Sequence, residues 1–136
     1  MTARCETPIG MENIKVRLAE IDAPDKGQAF GSRSSQHLAD LCFKRSAAVR
    51  PQSKDRYGRT VARVDCDGVD ANVEQVSAGM AWVYDKYVID RDLYRVQDAA
   101  RAARRGLWAE AQPAPPWEWR LNRSERRQTP ISLPRP

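Results

Sequence analysis

Two aspartates, Asp22 and Asp25, and two arginines, Arg17 and Arg59, have the types and spacing needed for chemistry on a charged substrate. Hydrolysis of a phosphodiester needs cationic groups for the phosphoryl oxygens and carboxylates that hold a metal or activate water. Gly58 precedes Arg59 directly, and a turn glycine aims the side chain that follows it. The set predicts phosphodiester cleavage, although the aspartates alone could cap a turn and Arg59 alone could be a solvated surface residue.

Other catalytic chemistries lack the residues that they need. His37 is the single histidine, which excludes mechanisms built on two histidines or on a histidine metal cluster. We expect it on a helix, at the surface or at the boundary of the core. The sequence has neither a GxxxxGK[ST] run nor a GxGxxG run after a strand, the glycine-rich patterns of ATP and dinucleotide sites. What remains is chemistry carried out by carboxylates, arginines and tyrosines.

Three stretches occur in an order that resembles the staphylococcal nuclease family. They are residues 17–25 (RLAEIDAPD), residues 55–59 (DRYGR) and residues 106–108 (GLW), the last of which follows a basic helix. The resemblance covers residues 2–108, so it is broad as well as specific in its motifs. It implies a fold, a metal, a substrate class and a role for each matching residue.

The resemblance assigns the acids and arginines to distinct roles. The carboxylate of Asp22 and the main-chain carbonyl of Ala23 match family positions that bind Ca²⁺, an ion that takes six to eight hard oxygen ligands. Asp25 matches the proposed general base that positions the attacking water. Arg17 and Arg59 match arginines that hold the phosphoryl oxygens as negative charge builds up in the transition state.

Tyr57 and Tyr87 match family tyrosines that line the nucleotide pocket, although Tyr87 could equally be a core aromatic. The implied function is a calcium-dependent nuclease that acts on DNA and RNA with little sequence preference and leaves 3′-phosphate ends. The alternative is a non-catalytic module that binds nucleic acid or protein. A third interpretation makes the basic, proline-rich C-terminal segment the functional part.

Two departures from the family pattern affect the site. The family's general base is usually a glutamate, and Asp25 is one methylene shorter, which could reduce activity because a base must lie within hydrogen-bond reach of its water. The family's first strand, with an Asp-Gly-Asp-Thr motif that carries a second metal carboxylate, would precede Thr2. We therefore expect that strand to be missing or truncated and the calcium site to have one side-chain anion.

The elements that must position these residues follow from the hydrophobic pattern. Residues 14–21 alternate between apolar and polar, as in a half-buried strand, and Pro24 places Asp22 and Asp25 in the loop after it. Residues 2–5 could pair with this strand in a hairpin. The pattern predicts further strands over residues 47–49 and 60–66. It also predicts three helices: one that is capped by a serine and ends at Phe43, a short one capped by Asn72, and one over residues 90–105.

This order predicts an α+β domain, and the resemblance makes it a five-stranded OB-fold barrel with three helices. We assign residues 1–111 to this domain. Residues 112–136 hold six prolines and carry three of the five net positive charges, and we expect a tail that is largely disordered, with Trp117 and Trp119 fixing its start to the domain.

Composition sets the remaining expectations. The 136 residues carry a net charge of +5, which favours a polyanionic partner such as DNA or RNA. No apolar run approaches the ~20 residues of a membrane span, and no signal peptide begins the chain; the family suggests a secreted or periplasmic protein if an upstream segment exists. The three cysteines could be buried thiols or could include one disulfide in an oxidising compartment. We expect a monomer.

Overall fold

The computed structural model describes residues 1–7 and 10–128 as an α+β fold. Seven strands, four α-helices and one short 3-10 helix make up the described part of the chain, numbered here in chain order. The strands are β1 (Thr2–Thr7), β2 (Gly10–Leu18), β3 (Ile21–Asp22), β4 (Ala47–Lys54), β5 (Thr60–Cys66), β6 (Val69–Asp70) and β7 (Trp82–Val83). The helices are α1 (Gly31–Cys42), α2 (Ala71–Ser77), α3 (Asp92–Ala102), the 3-10 helix (Gly106–Ala109) and α4 (Pro116–Gln128).

A five-stranded sheet in the order β1-β2-β5-β4, with β6 paired to β5, forms the body of the fold. The hairpin predicted for the N-terminus is present, because β1 pairs with β2 in an antiparallel register that places Thr2 opposite Lys15. Strand β2 then runs parallel to β5, with Val16 opposite Thr60. The α+β class and the five-stranded sheet therefore agree with the prediction.

The core packs α1 and α2 against one face of this sheet. Val16, Ala62 and Val64 are buried there, as the alternating pattern of their strands requires. Cys42 at the end of α1 and Cys66 at the end of β5 form a disulfide, which decides between the two cysteine alternatives. Further clusters bury Leu93 of α3 and, in the 3-10 helix, Leu107 and Trp108.

Two predicted helix caps are wrong. Helix α1 begins after Phe30 without a side-chain cap, because its serines lie inside the helix. Helix α2 is capped by Asp70, which accepts from the Val73 N–H, and not by Asn72. The side chain of Asn72 is fully buried and bonds across the sheet instead, a role that capping statistics cannot reveal because it depends on distant segments.

The C-terminal segment is the largest difference from the prediction. Residues 116–128 form the helix α4, so residues 1–7 and 10–128 contain four α-helices where three were expected. The expectation of a segment without regular structure from residue 112 is wrong over residues 116–128. Pro116 is the first residue of the helix, where its missing N–H costs nothing, and the next proline is Pro130. The part of the disordered-tail prediction that falls on residues 129–136 lies outside the described residues.

Aromatic contacts fix the start of α4 to the domain, as predicted for Trp117. Its ring stacks on that of Tyr84 at 9° with 5.2 Å between centroids, and it meets Trp82 edge-on at 5.8 Å. The side-chain amide of Gln28 also donates to the Ala114 carbonyl oxygen at 2.8 Å. Within the described part of the chain, no helix is long and apolar enough to cross a membrane.

Candidate functional site

A cavity of about 500 Å³ lies where β2, the loop after β3, the turn between β4 and β5, and α4 meet. Three separate segments of the sequence supply the predicted site residues that line it. These residues are Arg17, Asp22, Ala23, Asp25, Tyr57 and Arg59. The fold therefore brings six of the seven predicted site residues to one place, and Tyr87 lines an adjoining cavity.

Arg17 reaches the cavity because it lies on the strand face opposite Val16, which is buried in the core. Its guanidinium lies 5.5 Å from the centre of the Tyr84 ring and 3.5 Å from the Asp22 carboxylate. The side chain is 25% exposed. It can therefore contact both a bound anion and the acid beside it.

Asp22 is a buried acid at the end of a short strand. Strand β3 pairs with β7, with Ile21 opposite Val83 and Asp22 opposite Trp82, and Ile21 is packed in the core. The Asp22 side chain is only 5% exposed. Burial raises the pKa of this carboxyl, and the guanidinium groups of two arginines oppose the rise. A buried carboxylate of this kind needs a cation beside it.

Asp25 sits in the tight loop between β3 and α1. Its N–H donates to the Gln28 side-chain oxygen at 3.2 Å, and its carbonyl oxygen accepts from the Gln28 N–H at 2.9 Å. A Cβ at Gly31 would lie 2.1 Å from the Asp25 carbonyl oxygen, so glycine is required for this close approach. The loop is thereby fixed against the start of α1, which holds Asp25 at the cavity wall.

Asp55 organises the turn that carries Arg59. Its carboxylate accepts from the N–H groups of Tyr57 and Arg59, both at 2.9 Å, and from Arg59 Nε at 2.7 Å. Gly58 has a φ of +81°, which favours glycine. Burial would raise the pKa of Asp55, but these hydrogen bonds outweigh it and lower the pKa. The Arg59 side chain is therefore held in one direction, with its remaining N–H groups available to a ligand.

A second cavity of about 750 Å³ adjoins the first and shares Arg17, Arg56, Tyr57 and Arg59 with it. Lys54, Tyr84, Lys86 and Tyr87 also line it. The side chains of Tyr57 and Tyr87 are exposed, so the alternative that Tyr87 is a core aromatic is wrong. Basic groups alternating with aromatic rings suit a nucleic-acid strand, whose phosphates and bases need these two kinds of contact.

Glu20 is a buried acid that supports this second cavity. Its carboxylate accepts from the N–H groups of Ile89 and Asp90, both at 2.6 Å, and from the side chains of Gln52 and Arg63. Burial would raise the pKa of Glu20, but these bonds outweigh it and lower the pKa. With its oxygens engaged by four donors, Glu20 joins the β4 and β5 strands to the segment that carries Tyr87.

Arg120 of α4 is the site residue that sequence reasoning missed. Its Nη1 donates to Asp25 at 2.7 Å and to Asp22 at 3.2 Å, and its Nη2 bonds the second oxygen of Asp22. Burial would lower the pKa of Arg120, but the bonds to the two acids outweigh it and raise the pKa. The sequence feature that could have indicated a helix around Arg120 is the stretch without proline between Pro116 and Pro130.

The donors at Asp22, Ala23 and Asp25 are of the type that a hard divalent cation prefers, because all are oxygens. The Arg120 guanidinium bonds both carboxylates at once, so a cationic group already lies where the two acids converge. The donor atoms therefore match calcium in kind, and the Arg120 guanidinium occupies the two carboxylates in this structure. Residues 1–7 and 10–128 contain no cluster of three or more acidic, histidine or cysteine side chains that could hold a metal, so further ligands would come from water or substrate.

Comparison with known proteins gives concordant results. The model of a family described as "Staphylococcal nuclease homologue" matches residues 15–110. A Haemophilus influenzae protein named "Uncharacterized endonuclease" is 44% identical over 119 residues, which are 88% of this chain and 66% of that relative. A Shigella flexneri protein named "Micrococcal nuclease" is 41% identical over 123 residues, 82% of this chain and 71% of the relative. The chain thus spans about two thirds of the length of these relatives.

Proposed function

Because the chain belongs to the staphylococcal nuclease family, whose fold is the OB-fold, we propose that it is an endonuclease that hydrolyses phosphodiester bonds of DNA and RNA. The observation that carries the proposal is the convergence of Arg17, Asp22, Asp25 and Arg59 on one cavity. Two arginines and two carboxylates at one place are the groups that phosphodiester hydrolysis needs. The relatives named as nucleases support the same conclusion.

The chain's own residues divide the reaction between them. Arg17 and Arg59 each present N–H groups to the phosphoryl oxygens, which gain negative charge as the attacking oxygen adds to phosphorus. Asp25 accepts the proton of the attacking water. The new bond forms between that water oxygen and phosphorus, and the bond to the 5′ oxygen breaks; that oxygen takes a proton from solvent, so the products are a 3′-phosphate and a 5′-hydroxyl.

We further propose that the reaction depends on Ca²⁺ held by the carboxylate of Asp22 and the carbonyl of Ala23. A bound divalent cation would supply charge that stabilises the phosphoryl oxygens. The support for calcium is the oxygen-only donor set of Asp22, Ala23 and Asp25 at one wall of the cavity.

The lining of both cavities supports activity with little sequence preference. Arginine and lysine side chains contact phosphates, and tyrosine rings stack on bases, and every nucleotide offers both features. Tyr57 and Tyr87 are exposed beside Lys54, Arg56 and Lys86 in the second cavity. We propose that a single strand lies along this second cavity, with the scissile phosphate at Arg17 and Arg59.

A non-catalytic binding module is the second candidate. It is favoured by the engagement of both Asp22 and Asp25 with Arg120, because ion-paired carboxylates are poorer bases and poorer metal ligands. The two candidates predict different outcomes for the same incubation with DNA, since the module binds DNA and leaves it intact.

For the compartment, the disulfide between Cys42 and Cys66 supports an oxidising environment, such as the periplasm or the outside of the cell. We propose that the protein acts there as a monomer.

The arginine pair provides the test of the proposal. We expect Arg17→Ala and Arg59→Ala each to lower kcat for a fluorescent single-stranded DNA by at least ~10²-fold, the effect of losing one preorganised transition-state donor. Arg95→Ala is the matched control, because Arg95 is 82% exposed on α3. Circular dichroism establishes that the variants are folded. A folded double variant that cleaves at the wild-type rate would refute the assignment of both arginines.

A further inference from the structure

The Arg120 guanidinium occupies the acids that the proposed reaction requires to be free. It bonds both oxygens of Asp22, the proposed metal ligand, and Asp25 at 2.7 Å, the proposed base. A carboxylate oxygen that is already bonded to a guanidinium has less capacity for a divalent cation or for the proton of water. The arrangement in which Arg120 bonds both acids, called closed here, therefore opposes both the binding of a cation at Asp22 and the transfer of a proton to Asp25.

The charges at this point of the cavity balance in the closed arrangement. Asp22 and Asp25 face the guanidinium groups of Arg17 and Arg120, so two negative charges meet two positive charges. Without Arg120, Arg17 is the one cation among the described residues within ion-pair distance of the two carboxylates, which would leave one net negative charge in this group. Because a low dielectric strengthens such interactions, the excess charge beside the buried Asp22 would attract a divalent cation.

Among residues 116–123, whose side chains the structure describes, those that contact the domain lie in the first turns of α4. Pro116 is buried and Trp117 stacks on Tyr84, whereas Leu121 is 59% exposed and Arg123 also lies in solvent. A segment held by a few contacts opens at a lower free energy than the core does. We therefore expect α4 to open from the cavity at a lower free energy than the sheet unfolds.

We propose that α4 is an autoinhibitory cover, and that its Arg120 competes with the divalent cation for Asp22 and Asp25. This inference rests on the proposed function, since it takes the calcium site from there. Binding of the cation displaces Arg120 and lifts α4 from the cavity mouth. The same displacement frees the Asp25 carboxylate to accept a proton.

The test measures Ca²⁺ binding to the full chain by isothermal titration calorimetry. We expect Arg120→Ala to bind Ca²⁺ at least ~10-fold more tightly than the wild type, because a competing charge is gone. Arg123→Ala removes the same charge from the exposed face of the same helix and should leave the Ca²⁺ affinity within ~2-fold of the wild type. This control separates competition at the two acids from a general effect of net charge.

A second variant and a second readout keep the test decisive if Arg120→Ala folds poorly. Trp117→Ala removes the anchor of α4 and retains Arg120, and it should also tighten Ca²⁺ binding. In the wild type, saturating Ca²⁺ should change the tryptophan fluorescence, because Trp117 leaves the Tyr84 ring. Ca²⁺ should also raise the Tm of Arg120→Ala by more than that of the wild type, since the cation replaces the lost partner of Asp22.

Equal or weaker Ca²⁺ affinity in Arg120→Ala, with wild-type binding intact, would overturn the inference and leave the proposed function standing. If neither protein binds Ca²⁺ at millimolar concentrations, the calcium part of the proposed function fails, and this inference fails with it.

Discussion

Replacing Asn72 with alanine removes a side chain that ties the strands of the site together. Its Oδ1 accepts from the Val64 N–H at 3.0 Å and its Nδ2 donates to the Ala19 carbonyl at 2.9 Å, and all of these groups are buried. In Asn72→Ala the Val64 N–H and the Ala19 carbonyl each lose their hydrogen bond to this side chain. Each buried group left unsatisfied costs about 1–3 kcal/mol, so we expect a loss of roughly 2–6 kcal/mol.

This loss is large against the ~5–15 kcal/mol by which single domains are stable. Urea denaturation followed by circular dichroism measures it, and Asn13→Ala is the control, because Asn13 is exposed on β2 and its loss should cost under ~0.5 kcal/mol. The reasoning would be refuted by an Asn72→Ala protein that unfolds within ~1 kcal/mol of the wild type at an unchanged m-value.

Two further predictions concern the turn acid and the disulfide. The folded pKa of Asp55 is lowered, so its carboxylate stabilises the fold above the ordinary aspartate pKa of about 3.9, and this contribution is lost as the pH falls through the folded pKa. The difference in urea midpoint between the wild type and Asp55→Asn should therefore be constant from pH 5 to 8 and shrink below pH 4. A midpoint difference that does not change with pH would contradict the role given to the Asp55 carboxylate. Reduction of Cys42–Cys66, whose sequence separation is 24, should lower the free energy of unfolding by ~3 kcal/mol in urea titrations; an unchanged urea midpoint contradicts this.

The sequence was sufficient for those parts of the site that local pattern determines. Alternation in β2 placed Val16 in the core and Arg17 on the opposite face. The strand predicted over residues 14–21 is interrupted by a turn at Ala19 and Glu20, and Pro24 follows the second piece, β3, so that Asp25 lies in a loop. Gly58 marked the turn that carries Arg59. Each of these features depends on neighbouring residues and on the geometry of one strand or turn, which the order of residue types reflects.

The features that the sequence did not predict depend on distant partners. Arg120 and Asp22 are 98 residues apart, and no pattern near Arg120 indicates an acid. The C-terminal segment contains six prolines, a number typical of disorder. Their positions nevertheless leave residues 117–129 without proline, which is long enough for a helix. The asparagine that resembles a helix cap, Asn72, bonds across the sheet for the same reason: its partners come from other elements.

The most direct test of the central claim is cleavage of single-stranded DNA by the full chain with Ca²⁺ and with a calcium chelator. We expect cleavage with Ca²⁺, none with the chelator, and recovery when Ca²⁺ is restored in excess. Asp22→Asn should lower the rate with Ca²⁺ by at least ~10²-fold while the protein stays folded. Cleavage that continues at an undiminished rate in the chelator would contradict the calcium mechanism, and DNA that is bound but intact in every condition would contradict the assignment as a nuclease.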